Sequence, residues 1–153
     1  RDLDLKELCT EEQVFQYADF EWGTDSEQLF KQSSLKFDKK DLGQGDESST
    51  KTYESKEKFS LENAESNMDL EFSDGQLSQV SFTFDIEQDA NTWIQKEVDE
   101  LNSLYGGGIA TGLGNQIYQG EQDTVLQLTA FTEGDESATV ILSVASMEYS
   151  IGS

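Results

Sequence analysis

The segment NMDLEFSDGQLSQVSFTFD, residues 67–85, decides the fold. Apolar and polar side chains alternate on both sides of Asp74-Gly75, the pattern of two antiparallel strands with one buried face. The alternating apolar residues are Met68, Leu70 and Phe72 before the turn and Val80, Phe82 and Phe84 after it. The segment therefore predicts a β-hairpin at the core of an antiparallel sheet.

Two registers of this hairpin fit the sequence. A two-residue turn at Asp74-Gly75 pairs residue 72 with 77 and sets Leu70 opposite Gln79. A three-residue loop, 73–75, pairs 72 with 76 and 68 with 80, so that apolar residues lie side by side. We favour the three-residue loop, with Gly75 in the left-handed position of a bulged turn.

A long amphipathic helix is predicted over residues 92–105, with Asn91 as its N-cap and Gly106 at its end. Its apolar residues are spaced at i, i+4, i+7 and i+11. They are Ile94, Val98, Leu101 and Tyr105.

The glycine-rich segment 106–114 follows this helix. Phosphate-binding loops lead from a strand into a helix, whereas this segment leaves one and contains no Lys or Arg. It therefore predicts a flexible connection, with a substrate-gating loop as the alternative.

Shorter patterns complete the order of elements. Two capping boxes, at Thr10 and at 24–27, predict a helix at about 11–18 and a second short helix after residue 27, with a strand at 20–22 between them. A strand at 34–42 and a loop at 43–50 follow. Residues 51–61 predict another strand, and a helix at 55–65 is the alternative. In the second half the patterns predict a strand from 117 and two central strands around 125–131 and 138–147.

Helices on one face of an antiparallel sheet make an α+β domain. We expect a sheet of about six to eight strands, with two short helices and one longer helix packed on one face. Residues 1–153 are expected to form a single domain. The stretches 10–86 and 91–149 follow a similar plan, a helix and then an antiparallel meander, and are candidate pseudo-repeat halves.

The composition excludes several functional classes. The 153 residues include 32 acidic and 10 basic side chains and no histidine or proline, for a net charge of −22. Such a chain repels phosphates, so we expect no nucleic-acid binding and no direct binding to anionic membranes except through an upstream lipid anchor. Without histidine there is no Ser-His-Asp triad and no imidazole metal ligand. The single Cys9 excludes an intrachain disulfide and multi-cysteine metal sites.

The cations are concentrated in one segment. Residues 31–58 contain seven of the ten basic side chains and are nearly neutral overall, and no cation follows Lys96. If this segment forms a sheet edge, Lys39 and Lys40 are candidate contact residues on a flank of mixed charge. The chain also begins with Arg1 rather than Met, which predicts a processed or excised piece of a longer product.

Candidate ligand-binding residues are few. Tyr118 and Tyr149, near strand ends, are the aromatic side chains most expected to be exposed, and Tyr53 joins them as a candidate. Trp22 and Trp93 are interpreted as core residues because they lie on a strand pattern and beside the helical stripe. We expect no catalytic residue and no cofactor.

Acidic loops are the only candidates for a metal. Asp74, Asp135 and Glu136 could supply oxygen ligands to calcium, but they lack the ligand spacing of an EF-hand. Solvated surface is the preferred interpretation, so no metal site is predicted.

Three short motifs resemble those of small domains in lipoproteins and secreted proteins of gut Firmicutes. They are ADFEWGTDSE at 18–27, FSDGQL at 72–77 and LYG at 104–106. The order of helix and meander also resembles the architecture of β-lactamase-inhibitor-protein-like domains, although this chain cannot form the disulfides of those inhibitors. The first resemblance implies an extracytoplasmic location, either secreted or lipid-anchored at the cell surface. No catalytic residue transfers from either comparison.

These observations lead to three hypotheses of different classes. The first is a non-enzymatic extracytoplasmic binding or interaction domain with a protein, cell-wall or glycan ligand. The second is an acidic inhibitor or mimic that binds a basic protein surface. The third is a small carbohydrate-active enzyme that uses paired carboxylates.

Overall fold

The computed structural model describes residues 1–40, 49–112, 115–134 and 136–150. A 3-10 helix, Leu5–Leu8, opens the chain. The elements that follow are α1 (Ser26–Gln32), β1 (Phe37–Lys39), β2 (Thr50–Leu61), β3 (Ala64–Ser73), β4 (Gln76–Ile86), α2 (Ala90–Tyr105), β5 (Ile109–Gly112), β6 (Asn115–Gln119), β7 (Thr124–Thr132) and β8 (Ala138–Ser146).

The eight strands form one open antiparallel sheet in the order β1-β2-β3-β4-β8-β7-β6-β5. The predicted α+β class is confirmed. Strands β1 to β4 form one meander after α1, and strands β5 to β8 form another after α2. Pairing of β4 with β8 joins the two meanders in the middle of the sheet. The single domain and the pseudo-repeat of 10–86 and 91–149 stay predictions.

The core lies against one face of this sheet. The N-terminal segment and α2 both pack on this face. The Tyr17 ring lies edge-on to those of Phe59 and Phe82, with centroid distances of 6.1 and 6.3 Å. The Trp93 ring of α2 has its centroid 5.6 Å from that of Phe84. The inward-facing side chains of the central strands are at most 1% exposed. They include Met68, Leu70, Phe72, Val80, Phe82, Phe84, Val140, Leu142 and Val144.

The favoured register of the β3–β4 hairpin is wrong. At the tip, Phe72 pairs with Leu77 across a two-residue turn in which Asp74 and Gly75 both have positive φ. A register shift between Glu71 and Phe72 then sets Leu70 opposite Val80. The additional β4 residue, Ser78, forms a bulge that keeps apolar side chains opposite one another. The three-residue loop was expected to have the same effect.

The short helical elements also differ from expectation. The segment predicted as a helix at 11–18 folds into turns, and the predicted strand at 20–22 is not a strand. The second short helix exists as α1, but its N-cap is Asp25, whose carboxylate accepts from the backbone N–H of Gln28 at 2.8 Å. The described residues thus contain two α-helices and one 3-10 helix rather than three α-helices.

Helix α2 begins earlier than predicted. Its N-cap is Asp89, in a left-handed conformation and without a side-chain capping bond, so Asn91 lies inside the helix. Gly106 ends α2 as predicted, with φ of 81°. Residues 109–112 of the glycine-rich segment form β5 and pair with β6, so the prediction of a flexible connection is wrong for this part. Its residues 113–114 lie outside the described ranges.

The strand at 51–61 is confirmed as β2, and its helical alternative is wrong. Of the strand predicted at 34–42, β1 covers Phe37–Lys39 among the described residues, and 41–42 lie outside them. Residues 43–48 of the predicted loop lie outside the described ranges. The β7–β8 pair is internal to the sheet, as predicted.

Deletion of Ser78 tests the bulge. Removing this additional residue converts β4 into a regular partner of β3 without changing which face each side chain occupies. We expect a folded protein that loses about 1–3 kcal/mol, because Ser78 donates to the carbonyl of Glu71 and lies 2.9 Å from the Ser73 hydroxyl. Deletion of Thr83 moves Phe84 to the opposite face and should prevent folding, since losing one buried Phe costs about 3–5 kcal/mol. Urea unfolding measures both, and equal destabilisation would contradict the bulge assignment.

Candidate functional site

The N-terminal segment before α1 forms one wall of a surface cavity. Thr10 and Val14 close a tight turn, in which the N–H of Thr10 donates to the carbonyl of Val14 at 2.8 Å and the Thr10 hydroxyl accepts from the N–H of Val14 at 3.1 Å. Gln13, at the turn, has a φ of 67°. A capping-box residue is thus used to stabilise a loop in place of a helix.

Long-range hydrogen bonds fix this loop to the β6–β7 turn. The N–H of Phe15 donates to the Thr124 hydroxyl at 2.9 Å, and that hydroxyl donates to the carbonyl of Glu121. The N–H of Glu121 in turn donates to the carbonyl of Gln13 at 2.8 Å. Thr124 is 1% exposed, so the bond from Phe15 lies out of water, and the three bonds together hold the two loops side by side.

Between these loops and the end of β8 lies a cavity of about 360 Å³, here called the aromatic–acidic pocket. Trp22 and Tyr149 supply its aromatic side chains, and both are half-buried. The indole N–H of Trp22 donates to the carbonyl of Phe15 at 2.7 Å, which fixes the orientation of the ring. The lining residues are Thr10, Glu12, Val14, Gln16, Glu21, Trp22, Gln122, Ser146, Glu148 and Tyr149.

The pocket has a one-sided charge. Three of its lining residues, Glu12, Glu21 and Glu148, are acidic, and none is basic. Aromatic faces and carboxylates both attract a positive charge, the first through the ring quadrupole and the second through Coulomb attraction. The arrangement is therefore suited to a cationic group.

Gly23 determines where the Tyr149 ring can lie. A Cβ atom at position 23 would be 2.7 Å from the Tyr149 Cζ and 2.8 Å from its Cε1, and Gly23 has a φ of 86°. The backbone conformation favours glycine, and any larger residue would displace the Tyr149 ring.

A second cavity, of about 600 Å³, lies at the β2–β3 turn. Asp2, Asp4, Glu62 and Glu100 are among its lining residues. Beside it, Glu97 of α2 is 1% exposed, and neither of its carboxylate oxygens has a hydrogen-bond partner in the part of the chain that the structure describes.

Glu62, Glu97 and Glu100 form what we call the Glu97 cluster. Each contributes one carboxylate oxygen to a group in which all three oxygens lie within 4.8 Å of one another. Burial, and then the charges of Glu100 and Glu62, raise the pKa of Glu97 to about 7, while Lys96 opposes the shift. A buried carboxylate in this setting holds its proton near neutral pH.

The tyrosines expected at the surface have different environments. Tyr149 lines the aromatic–acidic pocket. Tyr118 is 3% exposed and donates to Asn102 Oδ1 at 2.6 Å, so its predicted exposure is wrong. Tyr53 packs edge-on against Phe30 and Phe72.

The predicted lysines lie on and just after the edge strand β1. Lys39 is exposed and has an interaction partner. Lys40 forms ion pairs with Asp69 at 3.3 Å and Glu54 at 3.8 Å. The charge of Lys40 is therefore balanced within the sheet.

The calcium candidates do not come together among the described residues. Asp74 lies in the β3–β4 turn, and the backbone carbonyl of Glu136 accepts from the N–H of Ala90 at 2.9 Å. Asp135 lies outside the described residues. Neither Asp74 nor Glu136 belongs to a group of three potential ligands in the described ranges.

Sequence reasoning missed both sites, although part of each left a signal. Glu97 falls on the apolar stripe of α2, three residues after Ile94 and four before Leu101, and a charged residue at a core position is informative. Nothing in the sequence indicates that Glu62, in the β2–β3 turn, lies beside Glu97. Trp22 was interpreted as a core residue, whereas it packs on the core and also lines the pocket.

Comparison with protein-family models, curated proteins and solved structures found no significant match. In the described residues no helix has the length and apolar character needed to cross a bilayer. Cys9 is a half-buried free thiol, and burial raises its pKa.

Stability should fall as pH rises through the titration range of Glu97. The unfolded glutamate has a pKa of 4.5 and the folded one a pKa of about 7, so the folded state binds more protons between these values. The free energy of unfolding of the metal-free protein should therefore decrease by up to about 3 kcal/mol between pH 5 and pH 8. Urea unfolding in a chelator measures this slope. Glu97→Gln should remove most of it, whereas the exposed Glu65→Gln should not, and equal slopes in both variants would contradict the assignment.

Substitution of Gly23 tests the contact with Tyr149. Gly23→Ala introduces both left-handed strain and an overlap with the ring, whereas Gly75→Ala introduces only the strain, since nothing lies within 4 Å of its Cβ position. We expect Gly75→Ala to cost about 1 kcal/mol and Gly23→Ala about 1–3 kcal/mol more. The double variant Gly23→Ala/Tyr149→Ala should recover most of the difference in chemical denaturation. Equal costs for the two single variants would contradict the predicted overlap.

Proposed function

We propose that the protein is a non-enzymatic, extracytoplasmic binding domain that recognises a cationic side chain of a partner protein. The observation that supports this most directly is the aromatic–acidic pocket, where Trp22 and Tyr149 lie among three carboxylates. The proposal combines the first two hypotheses from the sequence, a binding domain and an acidic mimic. The pocket would supply the specificity of binding, and the net charge of the chain would supply the long-range attraction. The extracytoplasmic location rests on the short sequence motifs that resemble those of secreted proteins.

The pocket chemistry favours a Lys or Arg side chain over a neutral ligand. A cation over an aromatic face gains about 0.5–1 kcal/mol at an exposed site and more when it is desolvated. The apolar stem of a Lys or Arg side chain can lie against the half-buried aromatic rings while its charged end lies near the pocket carboxylates. A neutral sugar could stack on the aromatic rings and donate its hydroxyls to the carboxylates, but it would not compensate their three negative charges.

The charge of the whole molecule assists the encounter. With a net charge of −22 the chain attracts a basic surface from a distance, and salt screens this attraction beyond about 8–10 Å. Association with a cationic partner should therefore be fast at low ionic strength and slower at high ionic strength. The pocket then determines which basic side chain is retained.

Binding of a peptide of alternating Gly and Lys tests the proposal. Glu21→Gln and Glu148→Gln should each weaken its affinity by about two- to fivefold, the effect of one exposed ion pair. Glu136→Gln changes the net charge equally but lies outside the pocket, so its affinity should change little. Fluorescence anisotropy of the labelled peptide gives the dissociation constants, with the lysine-acetylated peptide as the uncharged control.

Three outcomes would contradict this function. Equal weakening by all three Glu→Gln variants would mean that only total charge matters and that the pocket recognises nothing. Binding of the acetylated peptide with unchanged affinity would exclude recognition of the cation. Tight binding of a neutral glycan with no affinity for the lysine peptide would assign the pocket to a different ligand class.

A further inference from the structure

The Glu97 cluster has a property that a solvated acidic surface lacks. Glu97 is 1% exposed, and both of its carboxylate oxygens are without hydrogen-bond partners in the described chain. Buried carboxylates are normally paired, and leaving one unpaired is costly. Buried hydroxyls elsewhere in the same core are satisfied: Ser55 and Ser66, for example, accept from backbone N–H groups at 2.8 and 2.7 Å.

The unpartnered oxygens of Glu97 lie at the convergence of two further carboxylates. Glu100 is one helical turn away on α2, and Glu62 approaches from the β2–β3 turn. One oxygen from each of the three lies within 4.8 Å of the others. Two oxygens bound on opposite sides of a calcium ion are about 4.6–5.2 Å apart, since Ca–O distances are 2.3–2.6 Å. The spacing is that of ligands around one hard cation.

The approach of Glu62 is built into the fold. Glu62 and Asn63 have positive φ values of 46° and 69°, which makes the turn tight. Helix α2 holds this turn at two points: the Trp93 indole N–H donates to the carbonyl of Glu62 at 3.2 Å, and Lys96 Nζ lies 2.6 Å from Glu62 Oε2. The carboxylate of Glu62 is therefore fixed beside the buried one.

Space and further oxygen ligands lie next to the cluster. Glu62 and Glu100 both line the cavity of about 600 Å³, and so do Asp2 and Asp4. Calcium takes six to eight oxygen ligands with flexible geometry and accepts water among them. A site with three carboxylates and an open, acid-lined side fits calcium better than magnesium, which requires a nearly ideal octahedron.

We propose that Glu62, Glu97 and Glu100 bind a calcium ion. The ion takes the place of a proton in neutralising Glu97, and it ties the β2–β3 turn to α2. With three monodentate carboxylates the expected dissociation constant is ~0.1–1 mM, the range of extracellular calcium modules. The site is separate from the aromatic–acidic pocket, because the two cavities share no lining residue.

Titration of the metal-free protein with CaCl2 and with MgCl2 tests this proposal. At about 10 mM calcium the melting temperature should rise by about 3–10 °C, with a smaller rise in magnesium. Glu97→Gln should weaken calcium binding by about tenfold or more, measured by isothermal titration calorimetry. Asp74→Asn, at the turn that the sequence offered as a calcium candidate, should bind calcium like the wild type.

A neighbouring substitution should act in the opposite direction. Lys96 Nζ is paired with Glu62 and competes with a bound cation. Lys96→Gln releases that carboxylate and should tighten calcium binding, whereas Glu100→Gln should weaken it. Glu62 and Glu100 are exposed, so Glu62→Gln and Glu100→Gln keep the test valid if Glu97→Gln fails to fold.

Terbium luminescence gives an independent readout of position. Trp93 contacts Glu62, so Tb³⁺ in the cluster should be sensitised by excitation of Trp93, and calcium should displace it. Trp93→Phe should abolish the signal although Trp22 remains. Three results would overturn the proposal: no calcium effect on the wild type, unchanged affinity in Glu97→Gln, or loss of binding in Asp74→Asn. The first of these would mean that Glu97 is neutralised by a proton alone.

Discussion

The antiparallel pairing of β4 with β8 is the contact on which the rest of the molecule depends. Eight consecutive pairs, from Gln79 with Ala145 to Ile86 with Ala138, join two meanders that are otherwise separate in the chain. Without this ladder each meander would expose a long central strand edge, which is a template for aggregation. The ladder also aligns the two halves of the core, because Phe82 faces Leu142 on the buried side. A slip of one residue would place the apolar set of one half on the other face.

The N-terminal segment packs against this sheet and lines both cavities. Its first residues extend along β2, where Ser60 accepts from the N–H of Leu3 at 2.8 Å and donates to the carbonyl of Arg1 at 2.7 Å. Its later residues cross to the β6–β7 turn, where Phe15 bonds to Thr124. One irregular segment thus lines both cavities, at positions 2–5 in one and 10–22 in the other. The aromatic–acidic pocket therefore depends largely on chain that has little regular structure, which is where binding residues concentrate in many folds.

The parts of the fold that could be predicted are those with a local periodic signal. The hairpin strands and α2 follow from alternation and from the 3.6-residue stripe. The register could not be predicted, because it depends on one bulged residue, Ser78, whose packing the alternation does not encode. The helix predicted at 11–18 failed because Phe15 finds a partner more than one hundred residues away. The candidate sites show the same limit of sequence-based prediction. Glu97 is conspicuous as a charged residue on the apolar stripe of α2, but only the tertiary structure places Glu62 beside it.

The acidic groups of the two sites differ in what they require. Several cations are already used within the fold, since Arg1, Lys40 and Lys96 each lie within 4.0 Å of a carboxylate. The carboxylates of the aromatic–acidic pocket face an open cavity, where water solvates them at little cost. Glu97 has no such solvent, so it needs a proton or a metal ion whenever α2 is packed on the sheet. Neutralisation of Glu97, by a proton or by an ion, is therefore a condition of stability, whereas the carboxylates of the pocket carry no such requirement. One acidic composition contains both kinds of group because burial separates them.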